Sequence, residues 1–496
     1  MTKTSSLAAL GLHAQAGREA QVQDITTDSR AVMPGTLFAA LPGSTVHGAR
    51  FIGTALSQGA VAVLTDAAGA DLASDDLAES EAALIVAEDP RQALAQTASL
   101  WFGAHPGTVV AVTGTNGKTS VATFARQIWE QLGLSGVNLG TTGVEGVWNH
   151  PLQHTTPDPI TLHRVLALAH GAEVTHVAME ASSHGLDQRR LDGVLLAAAG
   201  FTNFSQDHLD YHGTFDAYFE AKMGLFDRVL SEDGVAVVNT DDPRGPEVAM
   251  RCEARGQEVI TIGRKPGSRL HVDGQRFDAT GQDLRFSWQG RPYMSRLELI
   301  GGFQADNVLL AAGLVIAAGA SPGDVFAILP ELRGVRGRMQ LAATRENGAA
   351  VFVDYAHTPD AVATALKALR PHVLGDISVI VGAGGDRDTT KRPLMGQAAA
   401  HNADRVIVTD DNPRSEDPAT IRAAVLSGAI GGAAEVIEFG DRAEAILRGI
   451  DGLKAGDALL IAGKGHETGQ VIGDTTLPFD DAEQASVAVA ALEGRI

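Results

Sequence analysis

The sequence is poor in cysteine, in long apolar runs and in positive charge. Its 496 residues include a single cysteine, Cys252, so no disulfide can form within the chain and a reducing compartment is expected. No apolar run reaches the length of about 18 residues that a transmembrane helix needs. The short apolar run near the N-terminus soon gives way to polar residues, unlike a signal peptide. These absences predict a cytoplasmic protein without a membrane span.

Positive charge is scarce, because 39 Lys and Arg residues stand against 60 Asp and Glu residues, for a formal net charge of -21. This balance argues against non-specific binding to nucleic acid or to an anionic membrane, although basic residues can still cluster around an anionic small molecule. A hydrophobic content of 44% and a charged content of 20% are typical of a soluble globular protein. We therefore expect a monomer whose partners are small molecules.

The apolar pattern predicts an α/β protein of three domains, the number expected at about 150 residues per domain. Residues 1–89 alternate short apolar runs with turns, as in a small α/β domain. Residues 90–333 alternate strand-like runs with longer helical stretches, which favours a mostly parallel sheet with crossover helices. Residues 334–496 contain four strand-like runs separated by helical segments, as in a doubly wound, Rossmann-like domain. The glycine- and arginine-rich stretch ELRGVRGRMQ between the last two regions predicts a hinge.

A variant phosphate-binding loop opens the second region. The strand-like run VVAV precedes TGTNGKTS and a helical pattern follows, but Val112 stands where the usual motif has its first glycine. Backbone N–H groups of such a loop hold phosphates, its lysine reaches the terminal phosphates, and its hydroxyl binds Mg²⁺. The predicted nucleotide site consists of Gly114, Thr115, Asn116, Gly117, Lys118, Thr119 and Ser120.

Other residues refine this prediction. A GTPase would carry an Asn-Lys-x-Asp stretch, and none occurs. Glu180 and His208 follow strand-like runs, where Mg²⁺ ligands lie beside phosphate-binding loops. His212 is interpreted as a loop histidine, because no third ligand completes a zinc site with His208. Lys222 alone fits a surface lysine whose stem packs on apolar neighbours.

An ordered set of motifs resembles the Mur ligase family between Asp28 and Glu467. The motifs are TGTNGKTS, TTPD, MEASSHGLDQRR, FTNFSQDHLDYHG, AKMGLF, DYAHTPDA, GAGGDRDTTKRPLMG, TDDNPR and AGKGHE. The resemblance implies ATP-dependent ligases that build the peptide of bacterial cell-wall precursors. It implies a domain for the UDP end of the substrate, a central ATPase domain and a C-terminal domain for the incoming amino acid. The best-matching members add the third residue, a diamino acid, to UDP-N-acetylmuramoyl-L-alanyl-D-glutamate.

The resemblance also assigns roles to individual residues. It implies that Lys118, Glu180, His208 and Lys222 are catalytic, and that Mg²⁺ is held by Thr119, Glu180, His208 and Lys222, the last as a carbamate (N6-carboxylysine). Further ATP contacts are implied for Asn307, Arg338, Asp354 and His357. Contacts with the UDP-linked substrate are implied for Ser29, Ser44, Thr155, Thr156, Ser182, Gln188 and Arg190. Arg189, next to Arg190, is expected to be solvated.

The stretch TDDNPR predicts which amino acid is added. The distal end of meso-diaminopimelate carries a carboxylate that lysine lacks, and an arginine offers two parallel donors to such a group. Residues implied to bind this amino acid are Arg387, Asp411, Asn412, Pro413, Arg414, Gly463 and Glu467. We therefore predict addition of meso-diaminopimelate. The alternatives are an L-lysine-adding ligase of the same family and a folylpolyglutamate synthase-like ligase.

Overall fold

The structure, a computed structural model, describes residues 3–15, 18–43 and 45–496. Its contacts divide the chain into two compact units. The first unit comprises Met1–Leu270 and Leu309–Val325, and the second comprises His271–Val308 and Phe326–Ile496. The chain passes between the units at the start of the strand Leu270–Asp278 and within two helices, Phe303–Ala317 and Pro322–Ile328. Among the described residues, no helix has the length and apolarity that crossing a bilayer requires.

The N-terminal part of the first unit contains a small parallel sheet, as its apolar runs predict. Its strands, in sheet order, are Asp24–Thr26, Thr36–Ala39, Ala62–Thr65 and Ala83–Val86. A short antiparallel pair, Ser5–Ser6 with Gln21–Val22, precedes it. The helices of this part are Ile52–Ser57, Ala67–Leu72 and Ser74–Ala78.

The rest of the first unit contains a larger sheet whose strands are parallel except for the last. In sheet order the strands are Glu258–Gly263, Val235–Asn239, Ala198–Phe201, Thr108–Thr113, His176–Glu180, Gly136–Gly140 and the antiparallel Gly143–Gly146. The central strands are almost fully buried, as expected for a parallel sheet covered on both faces. The helices are Pro90–Phe102, Lys118–Gln131, Pro159–Gly171, Ser183–Asp187, Leu209–His212, Phe215–Gly224 and Gly245–Ala254.

The second unit contains a six-stranded sheet with the predicted parallel core. In sheet order its strands are Gln340–Thr344, Ala350–Asp354, Ala458–Ala462, Ile377–Val381, Arg405–Val408 and Glu435–Glu438, of which only the first is antiparallel. Three antiparallel strands, Leu270–Asp278, Gly281–Trp288 and Arg291–Leu297, and a hairpin, Gly469–Ile472 with Thr475–Pro478, complete the strands. The helices are Pro359–Leu369, Lys391–Asn402, Pro418–Ala429, Arg442–Asp451 and Asp481–Leu492.

Four helices begin with the same local chemistry, in which a proline follows a capping Asp or Thr. The capping side chains accept hydrogen bonds from backbone N–H groups three residues later: Asp89 from Gln92, Asp158 from Thr161, Thr358 from Ala361 and Asp417 from Thr420. Proline has no N–H to satisfy at this position, and its φ suits a helix. This pattern fixes the helix that follows the TTPD motif and the one that follows the DNPR loop.

Candidate active site

Glycine shapes the loop between the strand Thr108–Thr113 and the helix Lys118–Gln131. Gly114 has a φ of 145°, and a Cβ atom at this position would lie 1.8 Å from the hydroxyl oxygen of Thr202. Gly117, immediately before the helix, has a φ of 89°. Both positions therefore require the freedom that only glycine has.

Two residues that follow a neighbouring strand hold this loop in place. The backbone carbonyl of Asn203 accepts a hydrogen bond from Thr115 N at 2.9 Å, and its side-chain oxygen accepts one from Asn116 N at 2.9 Å. Thr202 Oγ1 donates to Asn116 O at 2.6 Å. Thr202 and Asn203 were not predicted from the sequence, although their position at the end of a strand-like run was the available signal.

Two lysine side chains meet at the carbonyl of Gly114. Lys118 Nζ donates to Gly114 O at 2.9 Å and to Thr115 O at 2.8 Å, so it lies across its own loop. Lys222 Nζ donates to the same Gly114 oxygen at 2.8 Å and lies 4.5 Å from the centre of the Tyr218 ring. In the part of the chain that is described, no carboxylate comes within ion-pair distance of Lys222 Nζ. Burial lowers the pKa of Lys222 well below its usual value, and the Lys118 ammonium lowers it further.

Glu180 is a buried carboxylate at the end of the strand His176–Glu180. Its side-chain oxygens accept hydrogen bonds from the Thr119 hydroxyl at 3.1 Å, from the Thr141 hydroxyl at 3.1 Å and from Thr141 N at 2.8 Å. The structure thus brings Thr119 and Glu180 together, and their shared binding of Mg²⁺ stays a prediction. Thr141 was not identified from the sequence, and its position after the strand Gly136–Gly140 is the only signal that would have indicated it.

The predicted metal ligands supply only part of the coordination that Mg²⁺ needs. Among the residues described, no group of three His, Cys, Asp or Glu side chains could hold a metal ion by itself. Mg²⁺ commonly uses one or two carboxylates together with phosphate oxygens and water, and Glu180 with Thr119 fits that pattern. Lys222 fits only if its amine is converted into an anion. His208 has a φ of 51°, and its ring lies 4.8 Å from that of His184, which the sequence analysis did not identify.

The central residues predicted to bind the UDP-linked substrate lie close together. Arg190 donates to Thr156 O at 2.6 Å and to the side-chain oxygen of Gln188 at 2.8 Å. The Thr156 hydroxyl accepts a hydrogen bond from Ser182 N at 3.0 Å. Burial lowers the pKa of Arg190, an effect that the Asp158 carboxylate opposes. This group places a guanidinium in a half-buried site suited to an anion.

The same network reaches the backbone carbonyl of Glu180. The hydroxyls of Thr155 and Thr141 lie 3.1 Å apart, and the Thr156 hydroxyl donates to Glu180 O at 2.9 Å. In the N-terminal part, Ser29 begins a short 3₁₀ helix that Asp28 caps. Ser44 lies outside the described residues.

The expectation that Arg189 is solvated is wrong. Its guanidinium lies 2.8 Å from the Asp89 carboxylate and 3.7 Å from that of Asp192. Asp89 precedes the helix Pro90–Phe102, so this ion pair connects the first predicted domain to the second. The sequence analysis could not detect it, because the partners are 100 residues apart.

In the second unit, Arg338, Asp354 and His357 surround Tyr355. The Arg338 guanidinium lies 4.6 Å from the centre of the Tyr355 ring, and the His357 ring lies 4.6 Å from it. The Asp354 carboxylate accepts two backbone hydrogen bonds, from Met339 N at 2.7 Å and Ala356 N at 2.9 Å. Burial raises the pKa of Asp354, which the Arg338 charge opposes. Asp354 thus has a clear structural role, in addition to the predicted nucleotide contact.

Asn307 lies in the helix Phe303–Ala317, where its side chain is almost fully buried. Its amide donates to the side-chain oxygen of Gln304 at 3.2 Å. The pair explains the glutamine at position 304, because the Gln304 oxygen orients the asparagine amide. The ATP contact of Asn307 stays a prediction.

Two arginines predicted to bind the amino acid flank Gly384. A Cβ atom on Gly384 would lie 2.8 Å from Arg414 Nη1 and 3.8 Å from Arg387 Cγ. Arg414 also donates to Gly385 O at 2.8 Å, which fixes its guanidinium against the GAGGDRD loop. Pro413 packs on the same loop, because a Cβ atom on Gly385 would lie 1.9 Å from Pro413 O. The arrangement places the Arg414 guanidinium and the stem of Arg387 beside the same glycine.

The remaining predicted residues of this site are also close to one another. Asn412 Nδ2 donates to Glu467 Oε2 at 3.0 Å. Gly463 has a φ of 117°, and a Cβ atom there would lie 2.7 Å from Asp411 Oδ2. Beneath them lie two buried cations that the sequence analysis did not identify, Lys464 and Arg442.

Three family models match successive parts of this chain. The Mur ligase family catalytic domain matches residues 21–101, the Mur ligase middle domain matches residues 112–315, and the Mur ligase glutamate ligase domain matches residues 337–465. The predicted three-domain organisation agrees with these matches.

A curated relative from Bradyrhizobium diazoefficiens is 48% identical over 474 residues, which is 95% of this chain and 95% of the relative. It is named UDP-N-acetylmuramoyl-L-alanyl-D-glutamate--2,6-diaminopimelate ligase. A solved structure of a protein with the same name is 32% identical, with a TM-score of 0.71 over 99% of this chain and 100% of that one. A MurF ligase from Thermotoga maritima in complex with ADP shares the fold, at 18% identity and a TM-score of 0.59 over 95% of this chain and 98% of that one. This chain therefore belongs to the Mur ligase family.

Proposed function

We propose that the protein is an ATP-dependent ligase that adds meso-2,6-diaminopimelate to UDP-N-acetylmuramoyl-L-alanyl-D-glutamate, a step of peptidoglycan precursor synthesis. The observation that carries the proposal is that Lys118 and Lys222 both donate hydrogen bonds to Gly114 O. Thr119, in the same TGTNGKTS motif, donates a hydrogen bond from its hydroxyl to the buried Glu180 carboxylate. The curated relative at 48% identity carries the name of this activity. The candidate amino-acid site adds the arginine pair that diaminopimelate requires.

The first chemical step is transfer of the γ-phosphoryl group of ATP. A γ-carboxylate oxygen of the D-glutamate attacks the γ-phosphorus, the bond to the β-phosphate oxygen breaks, and ADP leaves with an acyl phosphate formed. Positioning and charge neutralisation dominate such transfers. The backbone N–H groups of residues 114–120 and Lys118 would hold the phosphates. Bound Mg²⁺, held by Thr119, Glu180, His208 and carbamylated Lys222, would neutralise charge on the phosphate oxygens.

The second step forms the amide. The amine of the amino acid attacks the acyl carbon, gives up a proton, and the tetrahedral intermediate expels phosphate. Arg190 would hold an anionic group of the UDP-linked substrate, with Thr155, Thr156, Ser182 and Gln188 beside it. Ser29 and Ser44 would contact its uridine end. Asn307, Arg338, Asp354 and His357 would contact the nucleotide.

Lys222 is proposed to act as a carbamate. An amine attacks CO₂ only in its neutral form, and burial together with the Lys118 charge favours that form. Addition of CO₂ with loss of one proton gives a carbamate anion that can ligate Mg²⁺, whereas an ammonium cannot. The carbamate would also offset the Lys118 charge at Gly114 O.

The amino-acid site is proposed to bind both ends of diaminopimelate. Arg387 would bind the near carboxylate and Arg414 the distal carboxylate, with Asp411, Asn412 and Pro413 shaping the loop. Gly463 and Glu467 would receive the distal ammonium. We further propose that the enzyme is cytoplasmic, because ATP and the precursor are cytoplasmic, and that it acts as a monomer.

An isotope experiment tests the proposed reaction. With ¹⁸O in the γ-carboxylate of the UDP-linked substrate, an acyl phosphate requires one labelled oxygen to appear in the released phosphate. ADP release should fall to background when either the UDP-linked substrate or the amino acid is omitted. Equal ADP release without the UDP-linked substrate, or unlabelled phosphate, would contradict the proposal.

A further inference from the structure

Lys464 is a fully buried lysine within the candidate amino-acid site. Its side-chain exposure is 0%. Its ammonium donates to Asn412 Oδ1 at 2.8 Å and to Gly469 O at 2.7 Å, and it lies 3.6 Å from Glu467 Oε2. A buried ammonium is costly unless partners satisfy it, so this one is tied to a specific arrangement of three residues.

These contacts join the DNPR loop to the hairpin Gly469–Ile472 and Thr475–Pro478. Asn412 Oδ1 accepts a second hydrogen bond from Val471 N at 3.0 Å, and Gln470 Nε2 donates to Asp411 O at 2.8 Å. The side-chain oxygen of Asn412 thus accepts hydrogen bonds from Lys464 and from the hairpin, and its side-chain nitrogen donates one to Glu467. Lys464 and Asn412 together clamp the hairpin onto the loop.

The clamp determines the backbone conformation of Arg414. This residue has a φ of 52°, in the left-handed region that residues other than glycine rarely adopt. Two backbone hydrogen bonds from the hairpin hold it there: Arg414 N donates to Val471 O at 3.0 Å, and Gly473 N donates to Arg414 O at 2.7 Å. Without the docked hairpin, these two backbone hydrogen bonds would be lost, and only the side-chain contacts with Gly385 O and Asn412 O would direct the guanidinium.

We propose that Lys464 is a positioning residue for the amino-acid substrate. Its ammonium holds the hairpin and Asn412 in place, so that Arg414 and Glu467 face the two charged groups at the distal end of a diamino acid. The proposal rests on the proposed function and deepens it, because it assigns selection of the distal end to a residue that need not touch the substrate.

Steady-state kinetics of Lys464→Met tests this role. The methionine keeps much of the side-chain volume but removes the ammonium, so the KM for meso-diaminopimelate should rise about tenfold or more while the KM for ATP changes by less than about threefold. Lys454→Met, at an exposed lysine of the same unit, is the matched control and should leave both values unchanged. Equal increases in both KM values would indicate a merely structural role and overturn the proposal.

A second variant tests the same proposal if Lys464→Met does not fold. Gln470→Ala removes one hydrogen bond between hairpin and loop, a loss that corresponds to about fivefold in the KM for meso-diaminopimelate. Thr475→Ala, on the other strand of the hairpin, is its control. An unchanged KM in Gln470→Ala would reject the clamp. Failure of the unmodified enzyme to add diaminopimelate would instead reject the proposed function.

Discussion

At the scale of single residues, the informative contact is the one between Lys222 and Gly114 O. Taken without the family resemblance, the sequence favours a surface lysine, yet the side chain is fully buried. The sequence could not show this, because Gly114 lies 108 residues away and the burial depends on the packed helix Phe215–Gly224. The family resemblance argues against a surface lysine, which agrees with the burial, and both the metal-binding role and the carbamylation stay predictions.

Lys222→Ala should abolish ligation, because it removes the anion that would hold Mg²⁺. Small carboxylates such as formate or acetate should restore part of the activity, since they can refill the space with an anion. Product formation with and without added carboxylate measures this. Near-normal activity of the alanine variant without any carboxylate would exclude the carbamate.

A second residue, His163, predicts a pH dependence of stability. Burial lowers its pKa from 6.5 to about 4, with a smaller contribution from His105, and its Nε2 has no hydrogen-bond partner among the described residues. The unfolded chain therefore binds a proton at a higher pH than the folded protein does. Stability must fall as the pH drops from 6.5 towards 4, by about 2 kcal/mol between pH 7 and pH 5.

His163→Leu should remove this part of the pH dependence. Its melting temperature should fall less than that of the unmodified protein between pH 7 and pH 5. His401→Leu, at an exposed histidine, is the control and should follow the unmodified protein. Parallel pH curves for His163→Leu and the unmodified protein would show that His163 does not contribute.

At the scale of elements, a buried ion pair joins two helices of the second unit. Arg442, at the start of the helix Arg442–Asp451, makes two hydrogen bonds of 2.7 Å to the carboxylate of Asp481, at the start of the helix Asp481–Leu492. Both side chains have 0% exposure. Arg442 also donates to Ala462 O at 3.0 Å, at the end of a central strand beside Gly463.

Breaking this pair should destabilise the protein strongly. Asp481→Ala leaves an unpaired buried guanidinium, for a cost of about 3–5 kcal/mol in the free energy of unfolding. The double variant Arg442→Met with Asp481→Leu should recover most of that loss, because neither charge is then buried alone. Denaturant unfolding of the single and double variants measures both effects. A double variant less stable than Asp481→Ala would contradict the interpretation.

The elements also show what sequence patterns can and cannot predict. The four strand-like runs of the third region are all strands, because continuous apolar runs of β-branched residues between helical segments are typical of buried parallel strands. The hairpin at Gly469–Pro478 was not predicted, since its short strands mix polar and apolar residues, most of them exposed, and contact Asn412 and Arg414. Lys464, Arg442 and Thr141 were not predicted, because each bonds a side chain that is distant in sequence: Asn412, Asp481 and Glu180, respectively.

At the scale of the whole molecule, the net charge of -21 predicts how salt affects the reaction. The UDP-linked substrate is anionic, so the protein repels it at long range while Arg190 attracts it only locally. The Debye length shortens from about 30 Å at 0.01 M salt to about 10 Å at 0.1 M. The kcat/KM for this substrate should therefore rise a few-fold over that range. A steady fall would show that local attraction dominates.

The central claim is that this enzyme adds meso-diaminopimelate, and the most direct measurement is kcat/KM for meso-diaminopimelate and for L-lysine with the unmodified enzyme. We expect a strong preference for diaminopimelate, because lysine leaves Arg387 and Arg414 with one carboxylate between them. Arg414→Ala should cost about 2–5 kcal/mol in binding the distal carboxylate and should raise the KM for diaminopimelate far more than that for ATP. Comparable kcat/KM values for L-lysine and diaminopimelate in the unmodified enzyme would contradict the account.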